Sequence, residues 1–235
     1  MESNNLVEQY KDKYIFRNNY TWGISKNNNR ISLLPNINIK KKKIPFVVIF
    51  KITKQCNLNC KYCYSKKKSN FINLSVIDNL CDEILAYKKP IQLIFHGGEP
   101  LLEIEKIKYI IKKLKTKKNI YYSIQTNGVL LDKNIIIFFK KNNVKVCISL
   151  DGPKKYHNLY RSNFEDTYNS INLCNNYGLN PSVICVLNEL SIKHPKSIFI
   201  FFKKLNINRI KFNLISSKEK HYSGEEVLYF YKKIY

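Results

Sequence analysis

The chain has 235 residues, 44% of them hydrophobic and 13% aromatic. That suffices for one domain with a full core and is short for two, and it excludes an intrinsically disordered chain. No run approaches the roughly 18 apolar residues of a membrane-crossing helix. The formal net charge is +24, yet lysines are spread throughout, with short clusters at 40–43, 66–68 and 112–118, among abundant Asn and Ile. That is the pattern of an AT-rich genome drifting its codons, so nucleic acid is not the expected partner. The polar start, residues 1–10, carries no apolar signal core, so a cytoplasmic protein is expected.

In chain order, residues 13–16 and 20–24 are short aromatic runs around Arg17, Asn18 and Asn19, followed by apolar 31–34. They predict a β-hairpin or small β-unit, then a basic linker ending at Lys43. Residues 1–44 are thus an appendage to a main domain over 45–235. There, strands are predicted at 46–52, 91–95, 120–125, 144–150, 182–187 and 209–215. Helices are predicted at 74–87 (Ser75 as N-cap), 103–114, 133–141, 164–177 (closed by Gly178), 195–205 and 224–235. Six strands alternating with helices indicate a parallel α/β fold. Alternation alone suits an open doubly wound sheet as well as a barrel. The motifs described next follow several different strands, and loops that converge on one mouth favour a partial (β/α)6 TIM-like barrel.

Seven cysteines in a cytoplasmic chain point to metal or redox chemistry rather than disulfides. Cys56, Cys60 and Cys63 crowd one loop directly after the first strand. Cys81, Cys147, Cys174 and Cys185 stand alone and are expected in the core, Cys147 least securely. Iron–sulfur cubes take thiolate ligands, usually four, and three from one loop leave an iron open. A zinc site is the alternative; it needs a fourth Cys or His, which Cys81 offers only from a predicted helix.

Strand periodicity adds an independent reading. Val144, Val146, Ile148 and Leu150 share one face, and Lys145, Cys147, Ser149 and Asp151 the other. Ser123 and Gln125, and then Arg209, Lys211 and Asn213, alternate with apolar neighbours in the same way. Three strands therefore present polar side chains to one side, as a lumen that admits a ligand requires.

The segment Cys56-Asn-Leu-Asn-Cys60-Lys-Tyr62-Cys63 resembles the CX3CX2C hallmark of the radical S-adenosylmethionine (SAM) superfamily. His96-Gly97-Gly98-Glu99-Pro100, Gln125-Thr126-Asn127-Gly128 and Ser149-Leu150-Asp151-Gly152-Pro153, with His157 and Arg161 downstream, are similar to its peptide-modifying branch. That branch includes SPASM-type maturases and anaerobic sulfatase-maturating enzymes. The match spans roughly residues 46–215.

The resemblance implies a [4Fe–4S] cluster on Cys56, Cys60 and Cys63, and reductive cleavage of SAM to a 5′-deoxyadenosyl radical. It implies SAM contacts from Tyr62, Gly97, Gly98, Glu99, Pro100, Gln125, Asn127, Ser149, Arg161 and Leu214. Glu99 would pair with the SAM ammonium, and Ser149 and Arg161 would hold its ribose and carboxylate. The implied partners are a peptide or protein substrate and a low-potential electron donor such as flavodoxin or ferredoxin, with no membrane. Members of the branch carry further cysteines in a C-terminal domain, whereas here the last is Cys185; a truncated product or a minimal member is expected. The other readings are a non-catalytic SAM- and cluster-binding remnant and a zinc-containing, basic nucleic-acid-binding protein. Asp151 is read as a cap of the Gly152-Pro153 turn, and His96 and His157 as residues that fix loops.

Overall fold

The computed structural model describes residues 5–10, 13–17, 22–25, 46–63, 65, 72–215 and 222–234. Three short strands, β1 (Asn5–Tyr10), β2 (Lys13–Arg17) and β3 (Trp22–Ser25), form an antiparallel sheet in chain order. The predicted hairpin corresponds to β2 and β3. The additional strand, β1, has a register shift between Leu6 and Glu8, which breaks the two-residue alternation by which a strand is recognised. The apolar run 31–34 and the basic linker lie outside the described residues.

The main sheet holds β4 (Phe46–Thr53), β5 (Ile91–Gly97), β6 (Ile120–Thr126), β7 (Lys145–Ser149), β8 (Ser182–Leu187) and β9 (Ile210–Leu214). All neighbours are parallel, in sequential order. The order never reverses, so the sheet has no switch point of the doubly wound kind. β4 and β9 are its edges; in a flat sheet they would stand roughly 24 Å apart, at about 4.8 Å per step. Yet Lys54, after β4, and Asn213, in β9, wall the same cavity. The sheet is therefore curled into a partial barrel.

Helices α1 (Leu74–Ala86), α2 (Ile104–Lys113), α3 (Lys133–Lys141), α4 (Lys154–Tyr160), α5 (Phe164–Asn176), α6 (Pro195–Lys204) and α7 (Gly224–Ile234) complete the domain. The core between helices and sheet follows from helical spacing. Ile77, Cys81 and Ile84 of α1 and Ile107, Ile110 and Ile111 of α2 are buried together with Ile91, Leu93 and Phe95 of β5. Val144, Val146, Ile148 and Leu150 are buried in the same core, as their alternation requires. Cys81, Cys174 and Cys185 are buried, free thiols.

Two boundaries differ from expectation. The N-cap of α1 is Asn73, with Ser75 already inside the first turn. A 3-10 turn, Pro100–Glu103, precedes α2. Gly178 ends α5 as expected: its φ of +69° is left-handed, and Leu179 N–H reaches back to the Cys174 carbonyl at 2.9 Å. Helix α4 was not predicted. Its seven residues are too few to show an amphipathic period. It matters nonetheless, because it carries His157 and leads to Arg161 at the mouth.

Candidate active site

A cavity of about 260 Å³ opens at the carboxyl ends of the strands. The loop after β4 brings Cys56, Cys60 and Cys63 to its wall. This loop is fastened by short bonds. Leu58 N–H donates to Cys56 Sγ at 3.4 Å, Cys63 N–H to the Cys60 carbonyl at 3.1 Å, and Lys61 N–H to the Tyr160 carbonyl at 2.8 Å. Asn127, after β6, donates through Nδ2 to Asn57 Oδ1 at 2.7 Å, tying a second loop to the first. Burial pushes the Cys60 thiol up, and the nearby Arg161 charge opposes that shift. No fourth cysteine lines the cavity among the described residues. Nor do any three His, Cys, Asp or Glu side chains among them come together as a single-ion site.

The Gly97–Gly98 segment lies against the start of the same loop. Gly98 N–H donates to the Thr53 carbonyl at 2.8 Å, and Glu99 N–H to the Gln55 carbonyl at 2.7 Å. A Cβ on Gly97 would run into the Thr53 carbonyl oxygen, and one on Gly98 into that of Gln55. Close approach to the protein's own backbone thus already requires both glycines, and both also face the cavity.

Glu99 is fully buried and stands off the cavity wall, as does Pro100. Its Oε1 accepts from Leu101 N–H at 3.0 Å and Thr126 Oγ1 at 2.7 Å, and its Oε2 accepts from Asn127 N–H at 2.7 Å. Three bonds thus meet the carboxylate that the resemblance pairs with a ligand ammonium, and they pin the loop after β5 to the loop after β6. Burial pushes its pKa up, while these hydrogen bonds and Arg161 pull it back.

Asp151 has a different role from the expected turn cap. Its Oδ2 accepts from Tyr62 Oη at 2.5 Å and from Arg161 Nε at 3.1 Å; its Oδ1 accepts from Val186 N–H at 2.9 Å. One carboxylate, 1% exposed, thus joins the cysteine loop, the end of α4 and strand β8. The Arg161 guanidinium lies 5.4 Å from the Tyr62 ring centroid, a cation–π contact. Burial, then the Asp151 charge, push the Tyr62 phenol well above its ordinary range. Tyr160 packs on Tyr62 and donates its hydroxyl to Glu189 at 2.7 Å.

The histidines fix loops as expected. His157 Nδ1 accepts from Asp151 N–H at 3.2 Å and Nε2 meets the Ser162 carbonyl at 3.1 Å, so the ring is neutral with its proton on Nε2. Burial lowers its pKa. His96 Nδ1 accepts from Gly97 N–H at 2.8 Å, and burial with the Lys51 charge lowers its pKa as well.

Of the cluster ligands and SAM contacts expected from sequence, all except Glu99 and Pro100 line the cavity: Cys56, Cys60, Cys63, Tyr62, Gly97, Gly98, Gln125, Asn127, Ser149, Arg161 and Leu214. By sequence, residues 50–202 match the family model described as the radical SAM superfamily. The chain belongs to the radical SAM superfamily.

A serine-type anaerobic sulfatase-maturating enzyme of Bacteroides thetaiotaomicron is 30% identical to it over 187 residues, 71% of this chain and 45% of the relative. A cysteine-type anaerobic sulfatase-maturating enzyme of Clostridium novyi is 31% identical over 179 residues, 67% of this chain and 47% of the relative. The solved structure of native anSMEcpe with bound AdoMet is similar at a TM-score of 0.71 and 26% identity, covering 81% of this chain and 59% of that one. The chain spans about half the length of the curated relatives it matches.

Several wall residues of this radical SAM domain were missed from sequence. Ile184 and Val186 line the cavity from β8, but that strand reads as a nearly continuous apolar run, which hides its inner face. Thr126 also lines it; its pairing with Glu99 crosses two loops and leaves no local trace.

Proposed function

We propose that the chain is the SAM-cleaving core of a peptide-modifying radical SAM enzyme. The observation that carries this reading is the convergence of three cysteines of one loop with Gly97, Gly98, Ser149 and Arg161 on one cavity, without a fourth thiol on its wall among the described residues. That donor set fits a [4Fe–4S] cluster with one iron left to a ligand, and Cys56, Cys60 and Cys63 are the residues to hold it. With SAM bound, such a cluster supplies one-electron cleavage of a carbon–sulfur bond.

The chain's own residues bind and orient. Arg161, held at Nε by Asp151, has its terminal guanidinium nitrogens to offer a carboxylate. Ser149 is suited to the SAM ribose, and the Gly97–Gly98 backbone to its amino group. Tyr62, Gln125, Asn127 and Leu214 complete the wall, while Glu99 and Pro100 set the glycine segment from behind. Ile184, Val186 and Leu214 give the cavity an apolar side that helps exclude water. A low-potential flavodoxin or ferredoxin is the proposed electron donor, a peptide or protein the substrate, and the cytoplasm the location. Among the described residues no helix is long and apolar enough to cross a membrane.

The test is anaerobic reconstitution with iron and sulfide, then reduction in the presence of SAM. The expected outcome is [4Fe–4S] absorbance and formation of 5′-deoxyadenosine. Absence of both, or zinc as the bound metal of the purified chain, contradicts the proposal.

A further inference from the structure

Below the mouth, the inner wall of the half-barrel has its own charge pattern. The two-residue period and the strand register fix which side chains face inward. Gln125, Cys147 and Ser182 fall in one row, and Ser149, Ile184 and Lys211 in the next. Asn213 lines the cavity, so Lys211 and Arg209, two and four residues earlier, continue its face down the wall by roughly 7 and 13 Å of strand. The Cys147 thiol lies within reach of their charges. Burial pushes it up, and the Ser182 hydrogen bond and the charges of Lys211 and Arg209 oppose that shift. Lys145 joins them on the same face of β7, two residues below Cys147.

Lys145, Arg209 and Lys211 are exposed, and none forms an ion pair among the described residues. The six strands of the sheet contain no Asp or Glu at all. The outer surface mixes both signs: some lysines there meet carboxylates, as in Lys113 with Asp78 and Asp82, Lys154 with Glu165, and Lys108 with Glu105, while others, such as Lys133 and Lys141, form no ion pair among the described residues. Codon drift towards lysine acts on both surfaces alike and does not empty one wall of carboxylates.

We infer that the wall of β7 and β9 binds an acidic peptide, with Asp or Glu side chains within a few residues of the side chain to be modified. This inference rests on the reading of the cavity as a site of peptide modification and narrows its substrate class. In this proposal a peptide whose reacting residue sits beside Ser149 and Asn213 runs along this wall. Its carboxylates then meet Lys211 and Arg209 in turn, with Lys145 opposite. A single-stranded nucleic acid is disfavoured, because its bases stack on aromatic rings beside the cations, and only Tyr121 and the His96 of the cavity offer a ring at the inward-facing positions of the six strands.

The experiment measures binding of three fluorescent pools of equal-length randomised peptides to the full chain by anisotropy. The pools carry Asp and Glu, Asn and Gln, or Lys and Arg at the same fixed positions. The acidic pool is expected to bind best, and the double variant Arg209→Gln/Lys211→Gln to weaken it about tenfold, the effect of losing two exposed charge contacts. A charge-matched control, Lys133→Gln/Lys141→Gln, removes two exposed lysines of α3 and is expected to leave binding unchanged. Equal weakening by both double variants, or preference for the neutral or basic pool, overturns the inference. So does a mixed-sequence oligonucleotide that binds more tightly than the acidic pool and is lost with the inner pair. Peptide binding needs neither cluster nor SAM, so a chain that binds acidic peptides yet yields no 5′-deoxyadenosine separates failure of the proposed function from failure of this inference.

Discussion

At the mouth of the half-barrel, Glu99 and Asp151 are almost wholly buried, and donors from other loops meet their oxygens. On the wall a few residues below, Lys145, Arg209 and Lys211 are exposed and meet no carboxylate among the described residues. A buried charge without partners costs several kcal/mol, so the mouth is held to one geometry by its own folding. Charges left in water cost the fold little and stay available to a partner. The contrast separates a region built to keep its shape from one built to receive.

Variants at the mouth are expected to be the more damaging. Cys63→Ala removes an exposed ligand from the loop, so circular dichroism should be unchanged while [4Fe–4S] absorbance and 5′-deoxyadenosine are lost outright. Asp151→Asn leaves Arg161 with a neutral partner in a buried position. It is expected to lower unfolding free energy by about 3 kcal/mol in denaturant titrations and to weaken SAM binding by about tenfold. An unchanged SAM affinity would show that Asp151 supports the fold alone. Gly98→Ala sets a methyl group against the Gln55 carbonyl, and a loss of about 2 kcal/mol is expected from the backbone shift this forces.

A smaller effect is tied to pH. Burial holds the His157 pKa below its ordinary value of about 6.5, so between the two values the unfolded chain binds the extra proton. The stability from neutral His157 is therefore fully present above about pH 6.5. It is lost as pH falls towards the folded value, by up to about 1.4 kcal/mol per pH unit. Thermal melts at descending pH should show this slope, and His157→Gln should flatten it. The smallest effect belongs to the wall: Arg209→Gln/Lys211→Gln should change stability by less than about 0.5 kcal/mol, because no partner is lost. A larger loss would mean that these cations hold the barrel together, and the contrast would fail.

How much was legible in the sequence follows the same division. Elements with a strong period were read within a few residues, as with β7 and its buried Val144, Val146, Ile148 and Leu150. Site residues carried by short local motifs, the cysteine loop and Gly97–Gly98, were found because the loops after the strands share one mouth. Contacts made across loops were not legible. Asp151 read as a turn cap, yet its carboxylate reaches Tyr62, 89 positions away in the chain. The bonds of Glu99 to Thr126 and Asn127, 27 and 28 positions further along the chain, likewise leave no trace in its local motif. Helix α4 was too short to carry a period, and the bulge in β1 erased one.

The central claim is that the three cysteines and the Ser149–Arg161 side of the cavity form one site for a cluster and SAM. Electron paramagnetic resonance of the reconstituted, reduced chain tests it most directly, recorded with and without SAM. A [4Fe–4S] signal that changes when SAM is added, in the wild-type chain and not in Arg161→Ala, is the predicted result. A cluster signal that SAM leaves untouched would contradict the account.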